Sequence, residues 1–201
     1  SRGDRFRGGA AKAGIVGCMD EEGVKVAKIM EPDYCIKCAG PMEKKVPKGE
    51  SRQRSICSEC GYIHYLDPKI ACGTIPEHEG QLVLIRRKID PRAGYWSFPC
   101  GFMEIDETTR EAAIRETQEE TGLKVELQDH LGTYSYTKGW WGGSVVIVAY
   151  TATILSDPIP RAGDDAAEAR FFSPSEIPWD ELAFKSSTEA LHDWGSQKPR
   201  P

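Results

Sequence analysis

The 201-residue sequence predicts an α/β fold preceded by a small cysteine-bearing module. Three observations predict it. From Lys69 onward, short apolar runs alternate with turn signals. One stretch, Thr108 to Thr121, reads as a capped helix. Between residues 31 and 68 lie two Cys-x-x-Cys pairs, in a stretch too short to bury a core of its own.

The elements follow in order. Ile70 to Ile75 reads as a strand, His78 to Gly80 as a turn, and Gln81 to Arg87 as the returning strand, with Leu82, Val83, Leu84 and Ile85 alternating along it. Tyr95 to Phe98 is a short extended piece. In the helix, Thr108 and Glu111 fit a capping box, and Gly122 stands where a left-handed C-terminal cap belongs. Val125 to Leu127, Leu131 to Tyr136 and Ser144 to Thr153 read as strands. Ser156 to Asp165 is a loop, Arg170 to Phe172 a short strand, and Ser187 to Trp194 a last helix. The domain reading is a flexible N-terminal segment over 1–30, the cysteine-bearing module over 31–68, the α/β domain over 69–195 and a tail over 196–201.

Composition narrows the function. The net charge is −5, so the strongly basic footprint of a nucleic-acid binder is missing. No apolar run approaches the roughly 20 residues that span a bilayer. An acidic protein that handles anionic phosphates needs a cation between its carboxylates and its substrate. The segment Ser1 to Gly17 is rich in Gly, Ala and Arg, with Asp4 as its one acid. It resembles the end of an organelle transit peptide, with a plain flexible tail as the alternative. The expected location is intracellular: cytoplasm, or a chloroplast or mitochondrial matrix if that segment is a processed leader.

The cysteine spacing is Cys35-x2-Cys38-x18-Cys57-x2-Cys60. It fits a four-cysteine zinc site, in which each pair makes a turn and two turns close a tetrahedron. Four thiolates leave no open position, so this zinc is structural. Cys18, Cys72 and Cys100 are left over and read as inert thiols.

The acidic helix carries the chemistry. Glu116, Glu119 and Glu120 stand at i, i+3 and i+4 and so share one helix face. A solvated acidic face is the plain alternative. Against it, an irregular loop starting at Gly101 delivers Glu104 and Glu107 toward the same helix, and Arg115 can hold a carboxylate in a bidentate pair. Carboxylates at this density suit a hard cation such as Mg²⁺, or Mn²⁺, which keeps waters and binds phosphates.

These residues resemble the Nudix box, Gly-x5-Glu-x7-Arg-Glu-U-x-Glu-Glu-x-Gly-U, where U is bulky and aliphatic. Gly101, Glu107, Arg115, Glu116, Glu119, Glu120, Gly122 and Leu123 fill its places. Thr117 departs at the first U, where it is expected to face the core and cost some packing. The resemblance implies an α/β/α sandwich around a mixed sheet, and hydrolysis of a nucleoside diphosphate linked to another moiety. It also implies that Glu116, Glu119 and Glu120 bind Mg²⁺, that the Gly101 carbonyl and Glu104 complete the sphere, that Arg115 orients a glutamate and that Glu107 supports it. Family members also take the general base from a later loop, where Asp164, Asp165 and Glu168 lie here. A ribbon before such a domain resembles NADH pyrophosphatases, but their Ser-Gln-Pro-Trp-Pro-Phe-Pro element is missing. The Asp67-Pro68-Lys69 entry and the Glu176 to Phe184 segment are closer to plant-type chloroplast FAD and ADP-ribose pyrophosphatases.

The substrate implied is a small nucleotide derivative, FAD or ADP-ribose first, with NADH or dinucleoside polyphosphates as alternatives. A non-catalytic subunit of a larger assembly is the other reading, and a homodimer stays open. Candidate substrate contacts are Arg86, Trp96, Tyr134, Trp140, Asp165 and Glu168. Arg87, Tyr136 and Trp141 stand beside them, and the aromatics offer rings for adenine or flavin.

Overall fold

The computed structural model describes residues 31–197 apart from 138, 140, 141 and 164, together with the backbone of two short strands nearer the N-terminus. Those two strands, β1 (Cys18–Met19) and β2 (Lys25–Val26), pair antiparallel. The remainder of the expected flexible segment lies outside the described residues.

The module at 31–68 is a three-stranded antiparallel sheet of β3 (Met42–Lys45), β4 (Arg54–Cys57) and β5 (Ile63–His64), in that order. It contributes little apolar burial beyond Cys35 and Cys57. The cysteine cluster therefore has to hold it, as the short length required.

The larger sheet has seven strands: β6 (Lys69–His78), β7 (Gln81–Arg87), β8 (Trp96–Ser97), β9 (Cys100–Phe102), β10 (Val125–Tyr136), β11 (Val145–Ile154) and β12 (Ala166–Phe172). Its main path runs β10-β11-β6-β7-β12, with β8 added to β7 and β9 to β6. β11 and β6 pair in parallel and the other pairs are antiparallel, so the sheet is mixed.

Helices cover both faces. On one side α1 (Thr109–Thr121) buries Ala112 and Ala113 against Cys72, Val83, Tyr150 and Ala152. On the other, α2 (Lys185–Ser196) buries Ala190, Leu191 and Trp194 against Ile75, Leu82, Leu84, Leu131 and Ile147. Strand alternation does the sorting: Val145, Ile147 and Ala149 face α2, whereas Tyr150, Ala152 and Ile154 face α1. This is the α/β/α sandwich.

Three expectations change. Residues 125–127 and 131–136 are one strand, not two; β10 runs through Gln128, Asp129 and His130 with register shifts on either side of His130. Polar residues there are tolerated because β10 is an edge strand, and the irregularity interrupts its pairing. The last helix begins at Lys185 and runs to Ser196, so the expected tail starts inside its final turn. Thr117 does not leave a packing defect. It is fully buried, its Oγ1 lies 2.6 Å from Thr74 Oγ1, and it donates to the Ala113 carbonyl at 2.7 Å.

Candidate active site

The ends of β7 and β10 and the starts of β6 and β11 meet at one edge of the sheet. A cleft of about 380 Å³ opens there. It is lined by Gly101, Glu104, Glu116 and Glu120 on one side and by Arg87, Asp90, Tyr136, Asp165, Phe184, Ser186 and Ser187 elsewhere.

Local sequence explains how α1 presents its carboxylates. Thr108 and Glu111 close the capping box in both directions, and Gly122 ends the helix at φ 70°. Between them Arg115 ties the loop to the helix. Its guanidinium makes two bonds to Glu107, at 2.6 and 3.0 Å, and reaches Glu116 at 2.7 Å, Glu119 at 2.9 Å and the Phe102 carbonyl at 3.0 Å. The pair of Arg115 bonds, joined by the Glu104 N–H at 2.7 Å, holds the Glu107 carboxyl down to about 2.

The three glutamates differ in environment. Glu119 is exposed. Glu116 is partly buried; desolvation raises its carboxyl and Arg115 opposes that rise. Glu120 is buried and accepts a 2.8 Å bond from the Cys100 N–H. Burial pushes it up to about 8 despite that bond. Gly101 sits directly against Glu116, and a Cβ at that position would overlap the Glu116 carboxylate. Backbone and carboxylate therefore approach each other as only glycine permits. The carboxylates and the nearby carbonyl are hard oxygen donors, the kind a Mg²⁺-type ion takes.

The other candidates separate. Asp165 lines the cleft. Arg86 does not; its Nε donates to the Gly94 carbonyl at 2.8 Å. Its neighbour Arg87 lines the cleft instead, since successive strand residues point to opposite faces. Trp96 is a core residue, 3% exposed, edge-on to Phe172 at 4.9 Å with Arg86 and Arg170 over its ring. Tyr134 is also buried, and its hydroxyl donates to Asp193 at 2.8 Å, tying β10 to α2. Tyr136, two residues on, reaches the cleft. Glu168 turns outward toward Arg170 at 3.6 Å. Trp140, Trp141 and Asp164 lie outside the described residues. Phe184 and Ser186 were missed because they precede the Ser187 start that the pattern suggested, and Ser187 because it read only as a helix end. The apolar Phe184 gives no capping signal there.

Cys72 and Cys100 are packing residues. Burial pushes the Cys72 thiol up to about 11 and the Cys100 thiol well above its ordinary value. Neither is poised as a nucleophile.

In the ribbon, the four cysteine sulfurs lie within 4.8 Å of one another, and they are the only such cluster of potential ligand atoms among the described residues. Cys35 and Cys60 sulfurs are 3.6 Å apart, and Cys38 and Cys57 3.5 Å. Zn–S bonds of ~2.3 Å in a tetrahedron place sulfurs about 3.8 Å apart, so the set fits zinc. The N–H groups of Lys37 and Cys60 donate to the Cys35 and Cys57 sulfurs, each at 3.4 Å. The Cys60 amide lowers the Cys57 thiol, whereas proton sharing with Cys60 and Cys57 raises the Cys38 thiol, as expected of four thiols crowded together.

Comparison with known proteins agrees with this arrangement. The NUDIX domain pattern matches residues 68–193, and the Nudix N-terminal zinc-ribbon pattern matches residues 33–66. The chain is 38% identical over 123 residues to an ADP-ribose pyrophosphatase from Methanocaldococcus jannaschii, covering 61% of this chain and 71% of that protein. It is 27% identical over 123 residues to an NAD-capped RNA hydrolase, NudC, from Vibrio vulnificus, where it spans 45% of the relative's length. A solved structure of a NUDIX hydrolase from Nitrosomonas europaea superimposes with a TM-score of 0.75 at 33% identity, covering 84% of this chain and 95% of that one. With a NUDIX domain over most of its length and a zinc ribbon ahead of it, the chain belongs to the Nudix hydrolases, which split pyrophosphate bonds in nucleotide derivatives.

Proposed function

We propose that the protein hydrolyses a nucleoside diphosphate joined to a second moiety, with ADP-ribose as first substrate and FAD as second, in a Mg²⁺- or Mn²⁺-dependent reaction. The carrying observation is the contact of Gly101 with Glu116 beside the buried Glu120, at the mouth of a cleft of nucleotide dimensions. The named activity of the 38% identical relative supports the ADP-ribose reading.

Glu116, Glu119 and Glu120 would hold the cation, with the Gly101 carbonyl and Glu104 completing its sphere. The ion, when bound, neutralises the diphosphate and lowers the pKa of an attacking water. The chain's own residues do the rest. Arg115 fixes the Glu107, Glu116 and Glu119 carboxylates, and the Cys100 N–H fixes Glu120. The water's oxygen bonds to one phosphorus and the bridging P–O bond breaks, giving AMP and the other phosphorylated half. The water's proton passes to a carboxylate. Glu116 and Glu119 are candidates on the helix, and Asp165 is a candidate on the later loop lining the same cleft.

The test incubates the protein with Mg²⁺ and a panel of ADP-ribose, FAD, NADH and dinucleoside polyphosphates, and measures AMP. Release of AMP from ADP-ribose above all others is expected. No AMP from any of them overturns the reading. NADH is the second reading, favoured by the likeness to NudC and opposed by the missing specificity element.

A further inference from the structure

The start of α2 contributes Phe184, Ser186 and Ser187 to the cleft wall, and it lacks a capping side chain. The helix is 12 residues long, yet its N-cap is Phe184, which has no side-chain capping bond. Helix amides in the first turn need partners from outside the helix. Here the Ser187 and Thr188 amides turn back to the Phe184 carbonyl, at 2.9 and 3.2 Å. The amides of Lys185 and Ser186 donate to no described backbone carbonyl.

Two hydroxyls stand at the same place. Ser186 is 7% exposed and Ser187 2% exposed, and both line the cleft. Neither hydroxyl has a hydrogen-bond partner among the described residues. Both residues are nine-tenths buried yet open onto the cleft, so a ligand seated there can supply the partner that the protein does not.

The third component is Arg87. It is the only cationic side chain among the described residues lining the cleft, which also carries Asp90, Glu104, Glu116, Glu120 and Asp165. Its guanidinium lies 5.2 Å over the Phe184 ring, and its Nε donates to the Pro91 carbonyl at 2.8 Å. Its outer nitrogens make no hydrogen bond among the described residues, and Phe184 beneath the guanidinium is the residue that begins α2. The terminus itself is anchored, since the Ala183 N–H donates to the Trp96 carbonyl at 2.7 Å.

We infer that the N-terminus of α2, with Ser186, Ser187 and Arg87, is a phosphate subsite that grips one phosphoryl group of the nucleotide substrate independently of the carboxylate-held cation. This deepens the reading above and rests on it for the nature of the ligand. Free amides, two hydroxyls and a guanidinium are all donors, and together they match the acceptor oxygens and negative charge of a phosphate. They give the acidic cleft a way to orient an anion that its glutamates repel.

The test separates binding from turnover. Zinc-replete protein without added Mg²⁺ is titrated with AMP and with adenosine by calorimetry. AMP should bind at least tenfold more tightly than adenosine. Ser186→Ala/Ser187→Ala and Arg87→Gln should each remove most of that advantage, with melting temperatures near that of the parent. In turnover with Mg²⁺, the same variants should raise KM more than they lower kcat. Equal binding of AMP and adenosine, or an AMP preference untouched by these substitutions, overturns the subsite. Absence of turnover alongside an intact AMP preference would instead sink the hydrolase reading and leave the subsite standing.

Discussion

Thr117 replaces the bulky aliphatic residue of the Nudix box, and the structure supplies a reason that can be measured. Its Oγ1 donates to the Ala113 carbonyl at 2.7 Å, which uses its one proton. The 2.6 Å contact with Thr74 must therefore be a bond donated by Thr74. Both residues are fully buried. Thr117→Val keeps the shape but strands the Thr74 donor, which should cost about 1–3 kcal/mol. Thr74→Val strands only a lone pair on Thr117, which keeps its bond to Ala113, and should cost about 0.5–1.5 kcal/mol. The double variant removes both polar groups and should recover much of the loss, giving a coupling of roughly 1 kcal/mol or more. At ~2–4 °C per kcal/mol for a chain of this size, a 2 kcal/mol loss in Thr117→Val lowers Tm by about 4–8 °C. The assay is a double-mutant cycle by urea and thermal denaturation with zinc kept bound. Strict additivity, with the double variant as unstable as the sum of the singles, would refute the pairing.

Four further outcomes follow from the cleft and the ribbon. Glu119→Gln should reduce turnover by at least a hundredfold while leaving Tm within a degree or two, because that side chain is exposed; retained activity in a steady-state AMP assay would remove it from the cation site. Glu120→Gln should abolish activity too, yet leave the fold as stable or more stable in a thermal melt, because burial already pushes that carboxyl up to about 8. Gly101→Ala should displace the Glu116 carboxylate, and a shift of that order costs ~10²-fold in rate; unchanged kcat/KM would mean the contact is incidental. About one zinc per chain is expected by elemental analysis, and its removal with a thiol-reactive mercurial should unfold residues 31–68 by hydrogen exchange while β6 to β12 stay protected. Uniform loss of protection would show the two parts fold as one unit.

How much of this was legible depended on how local the signal was. The boundaries of α1 could be read because Thr108, Glu111 and Gly122 act within one turn of each end. The cysteine cluster could be read because two Cys-x-x-Cys turns need no distant information to place their thiolates. The cleft walls could not, because strand parity depends on register set elsewhere. Arg86 and Arg87 are adjacent and equally basic, and only the pairing of β7 decides that Arg87 faces the cavity and Arg86 the Gly94 carbonyl. Tyr134 and Tyr136 share a parity, yet α2 covers the first, which pairs with Asp193, and leaves the second at the cleft. That difference comes from where a helix fifty residues later packs. The same helix supplies Ser186 and Ser187, whose significance rests on an absent cap rather than on any residue a pattern would select.

The i, i+3, i+4 spacing of the glutamates suggests three equivalent ligands, and the packing makes them unequal. Glu120 points toward the sheet, where β9 offers it one amide and little solvent. Glu116 lies between, with Gly101 on one side and Arg115 on the other. Glu119 faces water, and among the described residues its carboxylate hydrogen-bonds to Arg115. The loop after β11 enforces this grading from behind: the Gly163 N–H donates to the Glu120 carbonyl at 3.1 Å, and a Cβ on Gly163 would overlap the Glu119 carbonyl. The loop that carries Asp165 into the cleft is thus braced on the backbone of the residues that carry the glutamates. A change at either glycine reaches the chemistry through position and not through charge. A single helix face can then combine a buried carboxyl that is costly to ionise alone with an exposed one that Arg115 holds. A divalent cation bound between them would offset the cost of ionising the buried one.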